Sequence, residues 1–198
     1  TAADYGVSER VIGKSLMGGW SDRVKVITKL KIFSEEHLDE NQSASLSLMV
    51  RNSFLQSCVN LQVDNLDTLM LHRATHLHHP QIYRELRKIK TEGLIKHIGV
   101  SIQSPEELLF VLRHEEISVI QLPFNILDYR WKNVISVIKQ ARKQYNLIIH
   151  ARSALLQGLL CSEDTYKWRK AGIENSGEII LWLKEKCKQY DKSSISDL

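Results

Sequence analysis

Several things are scarce in this chain of 198 residues, and each scarcity closes a class of explanation. There are three cysteines, Cys58, Cys161 and Cys187, far apart and without a CxxC pair, so neither a disulfide framework nor a zinc ribbon is suggested. Reduced, buried thiols are the expectation for them. Three prolines and nine glycines leave no linker-like stretch that would divide the chain. No apolar run approaches the roughly 20 residues that cross a bilayer, and no signal peptide is visible. Excess charge of one sign is also small: 27 basic against 23 acidic residues, scattered, for a net +4. The densest basic segment, residues 84–93, carries Glu85 and Glu92 within it and reads as a solvated helix face rather than a nucleic-acid footprint.

Two familiar phosphate-binding signatures are missing as well. No GxGxxG occurs, so a dinucleotide site of the doubly wound type has no support. The triplet Gly13-Lys14-Ser15 would need a glycine at position 8 to complete a phosphate loop, and Ser8 stands there.

What is present is a balanced globular composition, 43% hydrophobic and 25% charged, with enough length for one ordinary core. Short apolar runs without alternation lie at 24–30, 66–72, 97–102, 119–125 and 147–153. Such runs suit strands covered on both faces. Between them the spacing predicts helices. One covers 45–61, with Leu46, Met49, Val50, Phe54, Leu55 and Val59 on a shared face; another covers 81–91, with Ile82, Leu86 and Ile89 inward and Gly93 just past its end. A third begins after Ser104, with Pro105 at its first position and Glu107 completing a capping box. Further helices are expected over 131–145 and 177–190.

The strand–helix rhythm predicts an α/β fold with parallel strands, either an open doubly wound sheet or an eight-stranded barrel. Lys29, His72, Ser101, Gln121 and Ser153 all fall at or near strand ends, where barrels gather functional groups. That favours the barrel. Each residue also has a plain structural use. Lys29 can snorkel from its strand end, and His72 can be a structural strand-end imidazole. His76, His78 and His79 crowd the next loop, but no carboxylate or thiolate stands there at ligand spacing, so a solvated loop is expected rather than zinc.

Taken in order, these segments resemble the aldo-keto reductase family, from Thr1 to about Leu160. "TAADYGVSE" is similar to the family's D-T-A-x-x-Y-G-x-S-E without its first Asp, "VITK" to V-x-x-T-K and "LDTLMLHRA" to D-L-x-x-x-H. "LRKIKTEGLIKHIGVS", "IQLPFNILDYR" and "ARSALLQGLL" resemble three further family blocks, the last nearest to bacterial relatives of aryl-alcohol dehydrogenases. The resemblance implies a (β/α)8 TIM barrel, here incomplete, with roughly the third to seventh strands in one partial domain over 1–198. It implies a cytoplasmic oxidoreductase that moves hydride from NADPH (the NADP cofactor) to an aldehyde, ketone or sugar-like carbonyl.

On matching positions Tyr5 would give the proton, Lys29 would ease its departure, and His72 would orient and polarise the carbonyl. The lysine's usual aspartate would precede Thr1. Asp4, at the variable position before the tyrosine, is not its substitute. Ser101 and Gln121 would hold the nicotinamide carboxamide, and Arg152, Ser153 and Leu155 would meet its ring and the pyrophosphate. Three positions depart from the family pattern: Ile102 stands for an Asn, Arg152 for an aromatic and Ala154 for a proline. A regulatory subunit that senses NADPH on the same barrel, or an inactive pseudo-enzyme, is the alternative. The resemblance further implies a portion of a longer protein, because a barrel lacking strands exposes sheet edges and core, and an isolated piece is expected to be unstable and inactive. Neither nucleic acid nor membrane is an expected partner.

Overall fold

The computed structural model describes residues 1–20, 23–34, 38 and 43–198. Five parallel strands carry the fold: β1 (Ile27–Lys29), β2 (Leu66–Leu71), β3 (Ile95–Ser101), β4 (Ile117–Pro123) and β5 (Ile148–Arg152), in sheet order β1-β2-β3-β4-β5. Helices α1 (Ser8–Leu16), α2 (Ser43–Leu61), α3 (Pro80–Thr91), α4 (Pro105–Val111), α5 (Ile135–Tyr145), α6 (Thr165–Lys170) and α7 (Ser176–Gln189) alternate with them or follow them. Neighbouring strands in strict chain order are the arrangement of a βα barrel, not of a doubly wound sheet whose order reverses at a switch point. The chain thus forms part of a barrel, as expected.

By contacts the chain divides into two compact units, one of residues 1–122 and 132–150, the other of residues 123–131 and 151–198. In the first unit the apolar interiors of three strands are buried: Leu69, Met70 and Leu71 of β2, Ile98 and Val100 of β3, and Val119, Ile120 and Leu122 of β4. Strand β5, expected to be covered on both faces, is instead exposed or half-buried along its length. Helix α3 packs with Ile82, Leu86 and Ile89 fully inside, and ends at Glu92 before the left-handed Gly93 (φ 77°), as its sequence predicts. Helix α4 starts at Ser104, whose Oγ accepts the Glu107 N–H at 3.3 Å. The Glu107 carboxylate reaches Gln103 N–H (2.6 Å) instead of completing the box at Ser104.

Three expectations about faces need correction. On α2 the buried set is Leu46, Val50, Phe54, Cys58 and Leu61, whereas Leu55 and Val59 point to solvent. The true stripe steps by four, and Leu55 and Val59 sit one residue past it. The basic segment 84–93 is not simply solvated: Glu85 is buried, and Arg51 of α2 grips it (2.7 Å) together with both oxygens of Glu92, which clamps α2 to α3. Only Cys58 is buried; Cys161 is exposed and Cys187 intermediate. Burial pushes the Cys58 thiol up to about 11.

The Gly-Lys-Ser triplet lies inside α1. A Cβ on Gly13 would sit 2.4 Å from the Asn60 carbonyl oxygen, so this glycine is where α1 and α2 touch backbone to backbone. Glu9 of α1, also buried, takes a hydrogen bond from Thr28 Oγ1 (2.6 Å) and one from Asn60 Nδ2 (3.0 Å), which ties α1 to both β1 and α2.

The second unit has its own small core. Trp168 of α6 is fully buried among Leu160, Ile180 and Leu183, and its indole N–H donates to the Ser162 carbonyl at 2.8 Å. In the same unit Trp131 donates to Asp128 (3.1 Å), which also holds the Arg130 guanidinium.

Candidate functional site

The strand register explains why the candidate residues converge. Lys29 pairs with Met70, Met70 with Gly99, and Gly99 with Val119, so these four form one row across the sheet. Side chains alternate along a strand, so the residues two further on share that face. These are His72, Ser101 and Gln121, the last two direct partners in register. The row needs a small residue at position 99: a Cβ there would meet Met70 Cγ at 2.8 Å and the Val119 carbonyl at 3.1 Å.

Tyr5 reaches this face from the chain's first residues. Thr1 N donates to the Ile27 carbonyl (2.9 Å) and Ala3 N–H to the Lys29 carbonyl (3.0 Å), which runs the segment alongside β1. A turn closed by Tyr5 N–H to the Ala2 carbonyl (3.1 Å) follows. The buried Lys29 ammonium donates to Tyr5 Oη at 3.3 Å, and the phenol ring lies edge-on to His72 with centroids 5.6 Å apart. Tyr5 is itself 50% exposed, so its hydroxyl joins a buried cation to open space. Among the described residues no carboxylate lies within ion-pair distance of Lys29.

His72, just beyond β2, is mostly enclosed. Burial, and next the Lys29 charge, hold its imidazole below the ordinary histidine range, while Asp4 pulls the other way. Both effects favour the neutral imidazole. Asp4 Oδ2 lies 3.4 Å from His72 Nδ1 and accepts the Ile32 N–H at 2.8 Å. Asp4 is thus not the partner of Lys29, in keeping with its sequence position, but it does stand at the histidine. Nothing in the sequence pattern signals that contact, because it depends on how the loop after β1 folds back.

Ser101 is buried at the end of β3, and Gln121 is half-buried beside it. The Ile102 N–H donates to the Gln121 carbonyl (2.8 Å), and the Ile102 side chain is fully buried. Arg152, Ser153 and Leu155 belong to the second unit: Arg152 ends β5, and its carbonyl accepts the Phe124 N–H (2.9 Å). Ser153 turns the chain with a left-handed backbone (φ 57°), and Leu155 is exposed.

The histidine-rich loop is solvated in part, with His78 exposed and His79 partly buried, but one of its histidines is inside. His76 is buried against Phe33 (5.5 Å), which lowers its imidazole to about 4, and His78 stacks on Phe110 at 4.6 Å. Among the described residues no group of three His, Cys, Asp or Glu side chains is placed to hold a metal ion.

A parallel βα sheet that gathers a tyrosine, a lysine and a histidine at the carboxyl ends of its strands has the layout of a barrel active site. The chain matches the family model of the aldo/keto reductase family over residues 1–194, and it belongs to that family. Solved structures with this fold include an aldo-keto reductase of Bacillus halodurans in its holo form: 25% identity, TM-score 0.64, with 82% of this chain and 53% of that one covered. The glycerol dehydrogenase of Gluconobacter oxydans is 27% identical, with TM-score 0.60 and 83% and 52% covered. An aldo/keto reductase of Klebsiella pneumoniae in complex with NADP and acetate is similar in fold, at 22% identity, TM-score 0.60, and 79% and 52% covered. The chain spans about half the length of these three structures.

Proposed function

We propose that Tyr5, Lys29 and His72 form the reacting centre of an NADPH-dependent carbonyl reductase acting on an aldehyde, ketone or sugar-like carbonyl. The observation that carries this reading is the 3.3 Å hydrogen bond from the buried Lys29 ammonium to the Tyr5 hydroxyl, with His72 against the same ring. A phenol in that setting can release its proton to an oxygen gaining negative charge, because the adjacent cation stabilises the charge left behind. Lys29 has no carboxylate to share its charge with among the described residues, so its field acts on the phenol oxygen.

The residues present suit the expected cofactor. Ser101 supplies a hydroxyl and Gln121 an amide on the same sheet face, a donor–acceptor set that complements a primary carboxamide. Bound NADPH would supply the hydride. Arg152, Ser153 and Leu155 are the residues we assign to the ring and pyrophosphate, Arg152 through a guanidinium able to stack or to hold phosphate. The structure of the Klebsiella pneumoniae protein with NADP supports the choice of cofactor. Among the described residues no helix is long and apolar enough to cross a membrane. The cytoplasmic location is our proposal from the family resemblance.

NADPH fluorescence titration of the intact protein, followed by a panel of aldehydes and ketones, tests the reading. Binding with turnover is expected. Tight binding without turnover would favour the NADPH-sensing alternative, and no binding would contradict both.

A further inference from the structure

Cys161 and Cys187 have no part in the site described above, and both line one recess of about 630 Å3 within the second unit. Two contacts bring their segments side by side. Leu160, next to Cys161, and Leu183, one turn before Cys187 on the same face of α7, belong to the same small core. Glu163, two residues past Cys161, takes the Lys184 ammonium at 2.8 Å. Beyond α7 the chain folds back on the recess. The Lys192 N–H donates to the Cys187 carbonyl at 2.8 Å, and the turn Ile195–Asp197 packs against both α7 and the turn Leu156–Cys161. Cys161 is exposed and Cys187 half-buried, so a small oxidant reaches Cys161 more readily. The third cysteine, Cys58, lies buried in α2 of the other unit, where burial pushes its thiol up to about 11 and keeps it unreactive.

We propose that Cys161 and Cys187 are a modification site for hydroperoxides, oxidised to a disulfide through a sulfenic acid on Cys161. In the first step the Cys161 sulfur bonds to one peroxide oxygen and the O–O bond breaks. With hydrogen peroxide, the other oxygen leaves as water, carrying the thiol's proton. In the second step the Cys187 sulfur bonds to the Cys161 sulfur, the S–O bond breaks, and the hydroxyl leaves as a second water with the Cys187 proton. Two thiols are oxidised to one disulfide, and one peroxide is reduced to two waters. The site stands apart from the carbonyl-reductase reading and needs none of its residues.

The link closes a loop of 25 intervening residues, which hold α6 and most of α7. It also ties the turn Leu156–Cys161 to α7. That turn contains the left-handed residues Leu156 (φ 47°), Gln157 (φ 56°) and Gly158 (φ 86°), a backbone that is costly to hold and that a covalent tie at its end restrains.

The test treats the dilute intact protein with hydrogen peroxide, blocks remaining thiols by alkylation, and maps the unreduced peptides by mass spectrometry. A single species joining the Cys161 and Cys187 peptides is expected, reversed by dithiothreitol, with Cys58 alkylated only after unfolding. In Cys187→Ser the sulfenic acid has no partner, so dimedone should label Cys161. In Cys161→Ser, Cys187 should stay a thiol under the same treatment. Cys161 running on to sulfinic acid in the parent protein without the joined peptides would overturn the proposal. So would a disulfide found only between two chains, seen as doubled mass on a non-reducing gel. Dimedone labelling of Cys187 in Cys161→Ser, equal to that of Cys161 in Cys187→Ser, would overturn the assigned order of the two thiols.

Discussion

Replacing glycine by alanine should have opposite effects at two helical positions, and the sign at each follows from a distance. At Gly13 in α1, an added Cβ would lie 2.4 Å from the Asn60 carbonyl oxygen and 2.8 and 2.9 Å from backbone atoms of Leu61. A carbon–oxygen contact is comfortable at about 3.3 Å, so α1 and α2 must separate by roughly 0.9 Å. The obstacle is backbone, which has no rotamer to escape into. Overpacking of this kind costs about 1–3 kcal/mol, against which alanine's better helix propensity returns about 1 kcal/mol at most. Separation also loosens Glu9, which bridges α1 to Thr28 and Asn60, so the cost belongs near the upper end. We expect Gly13→Ala to destabilise by about 2 kcal/mol, or about 1 M in a urea midpoint at a typical slope. At Gly177, near the start of α7, nothing lies within 4 Å of the added carbon. Gly177→Ala should stabilise by about 0.5 kcal/mol through lost unfolded-state freedom. Urea titrations of the two variants beside the parent protein provide the assay. Gly13→Ala as stable as the parent, or both variants shifting in one direction, would refute the packing argument.

Two further outcomes follow from buried polar groups. His76 titrates near 4 when folded and near 6.5 when unfolded, so the unfolded chain takes up the proton first as pH falls. Its unfavourable effect is absent above about pH 6.5 and grows down to about pH 4, reaching about 3 kcal/mol, and His76→Gln should flatten that part of a stability–pH curve. An unchanged slope would contradict its burial against Phe33. Arg51 and Glu85 should show a coupling of about 1–2 kcal/mol in a double-mutant cycle with Arg51→Met and Glu85→Gln, because Glu85 is buried and, among the described residues, only Lys88 (3.5 Å) remains to pair with it. Strict additivity would count against the clamp between α2 and α3.

Much of this architecture was legible because parallel strands announce themselves as apolar runs, and each of the five begins within three residues of its run. What escaped was the short or sparsely patterned material. Helix α1 has only Glu9, Gly13 and Leu16 buried, one of them charged and one without a side chain, so it carries no apolar stripe to read. Helix α6 buries a single residue, Trp168, within a hexapeptide that is otherwise Thr165, Tyr166 and three cations. Helix α2 misled differently: its surplus apolar residues, Leu55 and Val59, suggested a stripe displaced from the one that packs.

The site divides along the same line. Tyr5, Lys29 and His72 were legible from their places at strand ends and from the family's spacing, and the structure brings them together. The proximity of Asp4 to His72 and the burial of His76 were not, because both are set by loops that fold over the strand ends, whose course no periodicity encodes. Arg152, Ser153 and Leu155 lie in the other compact unit, and their role remains a proposal carried by the motif.

The most direct measurement is carbonyl turnover by Tyr5→Phe in the intact protein, beside NADPH titration of the same variant. The substitution removes one oxygen from a half-exposed ring and leaves the sheet and the Ser101–Gln121 pair untouched. If Tyr5 is the proton donor, NADPH affinity should stay within about twofold while kcat falls by at least about 100-fold, the usual contribution of a positioned general acid. Turnover at the parent rate with cofactor binding intact would contradict the assignment of the Tyr5–Lys29 pair as the reacting centre.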